Sequence, residues 1–178
     1  RIMVDIGDDQ SIDNDLSTYS SFLANMKDML AKADSRTLVL IDEFGSGTEP
    51  AAGGAIAEAI LSEFDRRGVY GVITTHYTNL KLYASADTGV MNGAMMFDVK
   101  NIAPMFRLEM GLPGNSFAFE LARKMGMPEN IIKDAEARAG EEFVGIERNL
   151  RKIARNRKAL DEKLERIKHT DKTLENIT

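Results

Sequence analysis

The stretch LVLIDEFGSGTEP, residues 38–50, decides the fold. Four aliphatic residues lead directly into Asp42 and Glu43, and a glycine-rich turn follows. A continuous aliphatic run predicts a buried strand of a parallel sheet. The two acids at its end either face water at an ordinary strand-to-loop junction or serve a nucleotide site. In such a site Asp42 binds Mg²⁺ and Glu43 activates a water molecule.

The composition indicates one globular domain with a charged appendage. The chain has 178 residues, of which 43% are hydrophobic and 29% charged, and it contains no run of 18 apolar residues that would span a membrane. The absence of cysteine excludes disulfides and thiolate metal sites and fits a cytoplasmic protein. The net charge of −5 argues against a generally basic nucleic-acid-binding surface. Since the chain opens with Arg1 inside a strand-like segment, we expect it to be a piece of a longer protein.

Strands and helices alternate in the first half of the chain. Residues 1–8 and 69–77 read as further strands, the latter ending at His76. Helices are predicted from Ser17 to Ala33, capped by Ser17 or Thr18, over residues 50–66, and from Thr78 to Tyr83. This order predicts an α/β fold with parallel strands, flanking helices and loops gathered at the carboxyl ends of the strands.

The second half changes character twice. Residues 93–99 and 103–110 predict an antiparallel hairpin on the sheet edge, and residues 116–125 and 128–139 predict a helix-turn-helix. The last 38 residues follow a heptad pattern, with Arg157 and Asp171 as polar intrusions at a positions. One amphipathic helix lying on the domain would explain the pattern, but its length and charge favour a protruding coiled coil. The d positions are aliphatic: Ile146, Ile153, Leu160, Ile167 and Leu174.

Three further segments accompany the acids, and each alone has an ordinary structural explanation. The loop GSGT (residues 45–48) is a tight turn before a helix that Thr48 would cap. His76 ends the next strand, level with Glu43 and within reach of a phosphate. Ser17 and Thr18 lie in DLSTYSSF, where a helix N-terminus and hydroxyls can bind an anion. The four segments in this order are much more specific than any one of them.

Together these segments resemble the ATPase domain of the MutS family, within the ABC class of P-loop NTPase-like folds. LSTYS is similar to the family's signature loop, IDEFGSGTEP to its Walker B strand and D-loop, and TTHY to its His-loop. DIGDDQSI, THYTNLKLYA and GLPGNSFAFELARKMGMPENII resemble the type-two MutS branch more than mismatch-repair MutS. The resemblance covers residues 1 to about 140.

The resemblance implies a role for each motif. Asp42 would help to hold Mg²⁺, Glu43 would activate water, and His76 would contact the γ-phosphate of ATP. Ser17, with Thr18, would reach the ATP held by a second subunit of a homodimer, beside a D-loop of Gly45, Ser46, Gly47 and Thr48. DNA, or the ribosome, would be bound through domains outside this chain.

One expected motif does not occur in the sequence. No G-x-x-x-x-G-K-[S/T] is present, and the family places this phosphate-binding loop upstream. We therefore expect that the chain alone neither binds ATP well nor hydrolyses it. The predicted organisation is an incomplete ATPase domain over 1–112, a helix-turn-helix dimerisation segment over 113–140, and a coiled-coil linker over 141–178. Tyr19 stands where mismatch-repair relatives usually have Phe.

Two alternatives stay open at this stage. Another ABC-class ATPase would usually show an LSGGQ signature, which does not occur here. A non-catalytic dimerisation and coiled-coil module would make Asp42 and Glu43 unimportant. The process served stays open between recombination control, ribosome rescue and mismatch repair.

Overall fold

A computed structural model describes residues 1–6, 15–84, 87–98, 100–114 and 117–175 of the chain. For residues 15–17 and parts of 141–175 it describes the backbone alone. The chain divides into two compact units, Arg1–Val90 and Met91–Thr178. In the described residues no helix is both long and apolar enough to cross a membrane.

The first unit contains a parallel sheet of three strands in the order β1-β2-β3. The strands are β1 (Ile2–Asp5), β2 (Leu38–Ile41) and β3 (Tyr70–Ile73). Val4, Leu40 and Val72 lie side by side in register. The aliphatic strand of the opening stretch is therefore central in a parallel sheet, and the strand before His76 is its neighbour. Residues 7 and 8 of the first predicted strand lie outside the described residues.

Three helices accompany this sheet: α1 (Asp15–Lys32), α2 (Pro50–Arg66) and α3 (Thr78–Tyr83). The predicted caps of the first two were wrong. Ser17 and Thr18 lie inside α1, whose described part already begins at Asp15. The cap of α2 is Glu49, whose carboxylate accepts hydrogen bonds from the first free amides of the helix, with Pro50 following. A carboxylate can accept from two amides at once, which a single hydroxyl does less well.

The core of the first unit lies between the helices and one face of the sheet. Val39 and Ile41 of β2 are almost completely buried there, and so is Phe44 just after the strand. Burying such side chains supplies the main favourable term of folding. The buried cluster consists of Met26, Met29, Ala33, Val39, Ile41, Phe44, Ala57, Ile60, Leu61, Phe64 and Leu80.

The other face of the sheet is open. Tyr70 is 70% exposed and Val72 is 62% exposed, and Ile2 and Val4 of β1 are exposed as well. Among the described residues, the predicted burial of the parallel strands therefore holds for one face of the sheet.

The second unit consists of a hairpin and helices. β4 (Gly93–Asp98) and β5 (Ala103–Met110) pair antiparallel, as predicted. They form a sheet of their own, so the predicted position on the edge of the parallel sheet was wrong for the described residues. The two strands of a hairpin form hydrogen bonds with each other, so a hairpin pattern in the sequence does not determine whether either strand pairs with a third strand.

Helices α4 (Ala118–Lys124) and α5 (Glu129–Glu175) follow the hairpin. Arg123 of α4 forms ion pairs with Glu129 and Glu136 of α5. The two helices lie where residues 116–125 and 128–139 were predicted to be helical. Gly140 breaks α5 with φ 85° and ψ 156°, a conformation that suits glycine, at the predicted boundary before the heptad segment. Residues 99, 116 and 176–178 of the predicted elements lie outside the described residues.

Candidate functional site

The two acids of the opening stretch lie where the central strand ends. β2 ends at Ile41, and the Asp42 amide still donates to the Asp5 carbonyl of β1 at 2.9 Å. Both Asp42 and Glu43 are exposed. Glu43 adopts a left-handed conformation with φ 50°, which is uncommon for a residue other than glycine. The chain therefore turns sharply at the second acid and leaves both carboxylates at the carboxyl edge of the sheet.

Thr74, the first residue after β3, connects the two acids. Its hydroxyl donates a hydrogen bond to Oδ1 of Asp42 and accepts one from the Glu43 amide at 3.0 Å. The hydroxyl thus bridges a carboxylate that faces solvent and the backbone of the strained residue beside it.

The predicted strand was too long at the position of His76. β3 ends at Ile73, because the left-handed Glu43 turns the neighbouring chain away and leaves β3 without an extended partner. His76 is exposed, and within the described part of the chain its imidazole has no hydrogen-bond partner. The structure places it two residues beyond Thr74 on the same loop.

The loop of Gly45, Ser46, Gly47 and Thr48 is held by the segment that carries His76. The Tyr77 hydroxyl donates to the Gly45 carbonyl at 2.8 Å. Gly45 has φ 86°, and a Cβ there would lie 2.8 Å from the Tyr77 ring and 2.9 Å from Ala57. Only glycine fits this position. Burial, and then the nearby Tyr19 and Glu49, raise the pKa of the Tyr77 phenol, so it stays a neutral donor.

The start of α1 lies beside the second glycine of this loop. A Cβ at Gly47 would lie 3.8 Å from the Cβ and the amide nitrogen of Tyr19. The Tyr19 hydroxyl is buried and has no hydrogen-bond partner among the described residues. Thr18 is half-buried, whereas the side chain of Ser17 lies outside the described part of the chain.

The donor set suits Mg²⁺ as part of a shared site. Carboxylate oxygens are hard ligands, and Mg²⁺ in nucleotide sites is usually bound through one or two carboxylates, water and the phosphates. Asp42 and Glu43 provide such oxygens, and one oxygen of Asp42 is already fixed by Thr74. The described residues contain no group of three His, Cys, Asp or Glu side chains that would hold a metal without such help.

Sequence reasoning missed Thr74 and Tyr77 as parts of this site. The signal was the polar run TTHY, in which only the histidine was given a role. The contacts of Thr74 and Tyr77 reach residues about 32 positions away in the sequence, so periodicity along the chain does not reveal them.

Comparisons with known proteins identify the family. A family model described as MutS domain V matches residues 1–142. Endonuclease MutS2 of Halothermothrix orenii is 40% identical over 183 aligned residues, covering 99% of this chain and 23% of the relative. Endonuclease MutS2 of Halalkalibacterium halodurans is 46% identical over 147 residues, covering 83% of this chain and 19% of the relative. Endonuclease MutS2 of Thermus thermophilus is 44% identical, covering 77% and 18%.

The chain thus spans about a fifth of the length of the curated relatives it matches. The domain V match covers most of the chain, and the identity to these relatives is high. The chain therefore belongs to the MutS family, in its type-two branch, and carries sequence of the family's ATPase domain.

Proposed function

We propose that residues 1–112 form half of a composite ATP site in a MutS2-type ATPase. The observation that carries this proposal is the pair Asp42 and Glu43, exposed together at the carboxyl end of the central parallel strand. In open α/β sheets ligands bind outside the carboxyl ends of the strands. When bound, ATP supplies the phosphoanhydride and Mg²⁺ supplies the cation that offsets its charge.

Each residue then has one task. Asp42 holds the cation through a carboxylate oxygen. Glu43 orients a water molecule and accepts its proton as general base. His76, exposed on the adjacent loop, donates a hydrogen bond to the terminal phosphate.

The signature residues and the D-loop serve a second subunit in this proposal. Ser17 and Thr18 contact the ATP held by the partner of a homodimer, next to the loop of Gly45, Ser46, Gly47 and Thr48. The position of Tyr19, whose Cβ would lie 3.8 Å from a Cβ added at Gly47, supports this because the start of α1 lies beside that loop.

The phosphate-binding loop belongs, in this proposal, to protein outside these 178 residues. The open apolar face of the sheet supports this, since parallel sheets are normally covered on both faces. The isolated chain would then neither bind ATP well nor hydrolyse it. Residues 113–140 would stabilise the dimer and 141–178 would form a coiled coil, consistent with the exposed Leu160, Leu164 and Ile167 of α5.

The ATP cycle is proposed to drive clamping of DNA, or of another nucleic acid such as that of the ribosome, in repair or recombination control. The curated relatives are named endonucleases. That name describes the whole relatives, of which this chain spans about a fifth.

ATP hydrolysis by the full-length protein tests the assignment. Glu43→Gln keeps the shape of the side chain and removes the base, so kcat is expected to fall by about 100-fold or more while ATP still binds. Glu165→Gln, the same change at an exposed site on α5, is the matched control. Equal activity of Glu43→Gln and wild type would exclude the role of Glu43.

A mixing experiment tests the shared site. Ser17→Ala and Glu43→Gln should each be weakly active alone, whereas their mixture regains activity because a mixed dimer has one intact composite site. A mixture no more active than its components would exclude the contribution of Ser17 in trans.

A non-catalytic module is the second candidate. The exposed leucines of α5 favour it, because they suit a partner helix. In that case the 178-residue chain dimerises, and Glu43→Gln changes nothing in the full-length protein.

A further inference from the structure

Thr74 uses all its polar groups on the segment that ends the central strand. Its amide donates to the Ile41 carbonyl at 3.0 Å, and its carbonyl accepts from the Phe44 amide at 2.9 Å. Its hydroxyl accepts from the Glu43 amide at 3.0 Å and donates to Oδ1 of Asp42. One residue of the neighbouring loop therefore contacts four consecutive residues, including both acids.

The hydrogen bond from the Glu43 amide restrains a residue whose backbone is strained. Glu43 has φ 50°, and non-glycine residues keep such a conformation only where the surrounding structure holds them. The hydrogen bond from the Glu43 amide to the Thr74 hydroxyl is such a restraint. It sets the direction in which the Glu43 side chain leaves the backbone.

The side-chain contact fixes a carboxylate that otherwise rotates in solvent. Asp42 is exposed, so no apolar packing selects its rotamer. With Oδ1 accepting a hydrogen bond from Thr74, the plane of the carboxylate is set and Oδ2 is the oxygen left to face a cation. Partners of this kind orient metal ligands and tune their affinity.

We propose that Thr74 is the positioning residue of the ATP site, setting the carboxylate of Asp42 for the metal and the backbone turn that aims Glu43. This inference rests on the proposed function. In this proposal Thr74 acts through the two acids that its hydroxyl contacts. Its hydroxyl is the essential group, because the backbone bonds persist in any non-proline residue.

The test compares three substitutions in the full-length protein. Thr74→Val removes the hydroxyl at nearly constant shape, and Thr74→Ser retains it. Thr88→Val makes the same change at a hydroxyl that bonds the backbone of Tyr83 and Val90 in the same unit. Glu43→Gln is assayed alongside as the marker of the ATPase assignment.

Metal affinity and amide hydrogen exchange are measured in addition to the kinetics of ATP hydrolysis. Mn²⁺ affinity, measured by electron paramagnetic resonance with a non-hydrolysable ATP analogue, should weaken about 10- to 100-fold in Thr74→Val. The Mg²⁺ concentration for half-maximal hydrolysis should rise in parallel, and kcat should fall more than KM for ATP changes. Without nucleotide, hydrogen exchange of the Glu43 amide, which loses its acceptor, should accelerate. Thr74→Ser and Thr88→Val should stay close to wild type in all of these.

The outcomes separate the two proposals. Wild-type metal affinity and exchange in Thr74→Val would overturn the positioning role, while loss of hydrolysis in Glu43→Gln would still support the ATPase assignment. Wild-type hydrolysis in Glu43→Gln would overturn the ATPase assignment and the positioning role with it. If circular dichroism shows that Thr74→Val does not fold, Thr74→Ala removes the same hydroxyl without an added methyl group. Wild-type metal affinity in folded Thr74→Ala would then overturn the role, and weakened affinity would support it.

Discussion

The two faces of the parallel sheet carry similar apolar residues in very different surroundings. On the covered face, Val39 and Ile41 pack against α1 and α2. On the open face, Tyr70 and Val72 point away from that core and are mostly exposed. The residue types of a strand therefore do not show which face is covered, whereas the free energy of unfolding of the 178-residue chain depends on the face that is covered within it.

Truncating Phe44 in the covered core and Tyr70 on the open face should give the largest difference in the free energy of unfolding. Phe44 is 1% exposed and packs edge-on against Phe22 at 5.7 Å, so Phe44→Ala should lower the free energy of unfolding by about 3–5 kcal/mol. Tyr70→Ala, on the open face, should cost about 1 kcal/mol or less, the span of strand propensity. Denaturant unfolding of the chain measures both. Equal losses would show that the open face is covered in solution.

A matched valine pair makes the same comparison at constant shape. Val39→Thr buries a hydroxyl in the apolar core and should cost about 1–3 kcal/mol. Val72→Thr exposes the hydroxyl to water and should change the free energy of unfolding by less than about 0.5 kcal/mol. The comparison becomes sharper in the full-length protein. There, a larger cost for Val72→Thr would reveal that another segment covers the open face.

The smallest expected effect on stability comes from an ion-pair cluster on the helices that cover the buried face. On α2, hydrogen bonds from Arg66, and next from Arg67, lower the pKa of Glu63 from 4.5 to about 2. Arg67 also donates to the Leu30 carbonyl of α1, so this cluster joins the two helices. A carboxyl with a lowered pKa stabilises the folded state above its unfolded pKa, and the stabilisation disappears as the pH falls through the folded value.

The melting temperature as a function of pH tests this cluster. Wild type should melt above Glu63→Gln at pH 7, and the gap should close between pH 4.5 and about 2. Glu165→Gln on α5 serves as the control for loss of a surface carboxylate. A gap that does not depend on pH would assign the effect of Glu63 to packing instead of charge.

The sequence motifs located the acids but not what holds them. Asp42, Glu43 and His76 were found because a short apolar run followed by a polar residue is visible in the linear sequence. Their supports, Thr74 and Tyr77, contact residues more than 30 positions earlier, so they become visible only when β2 and β3 lie side by side. The left-handed turn at Glu43 was also hidden, because glutamate has no preference for it.

The sequence by itself determined the strand at residues 38–41, the neighbouring strand, the hairpin pairing and the glycine loop, and its motifs indicated the MutS family by resemblance. The structural features depend on local residue order: an aliphatic run, alternation and closely spaced glycines. Only the tertiary structure decided where β3 ends, that the hairpin is a separate sheet, which face of the sheet is open, and that Thr74 bridges both acids. Those features depend on contacts between distant segments, and such contacts leave no period or spacing in the chain.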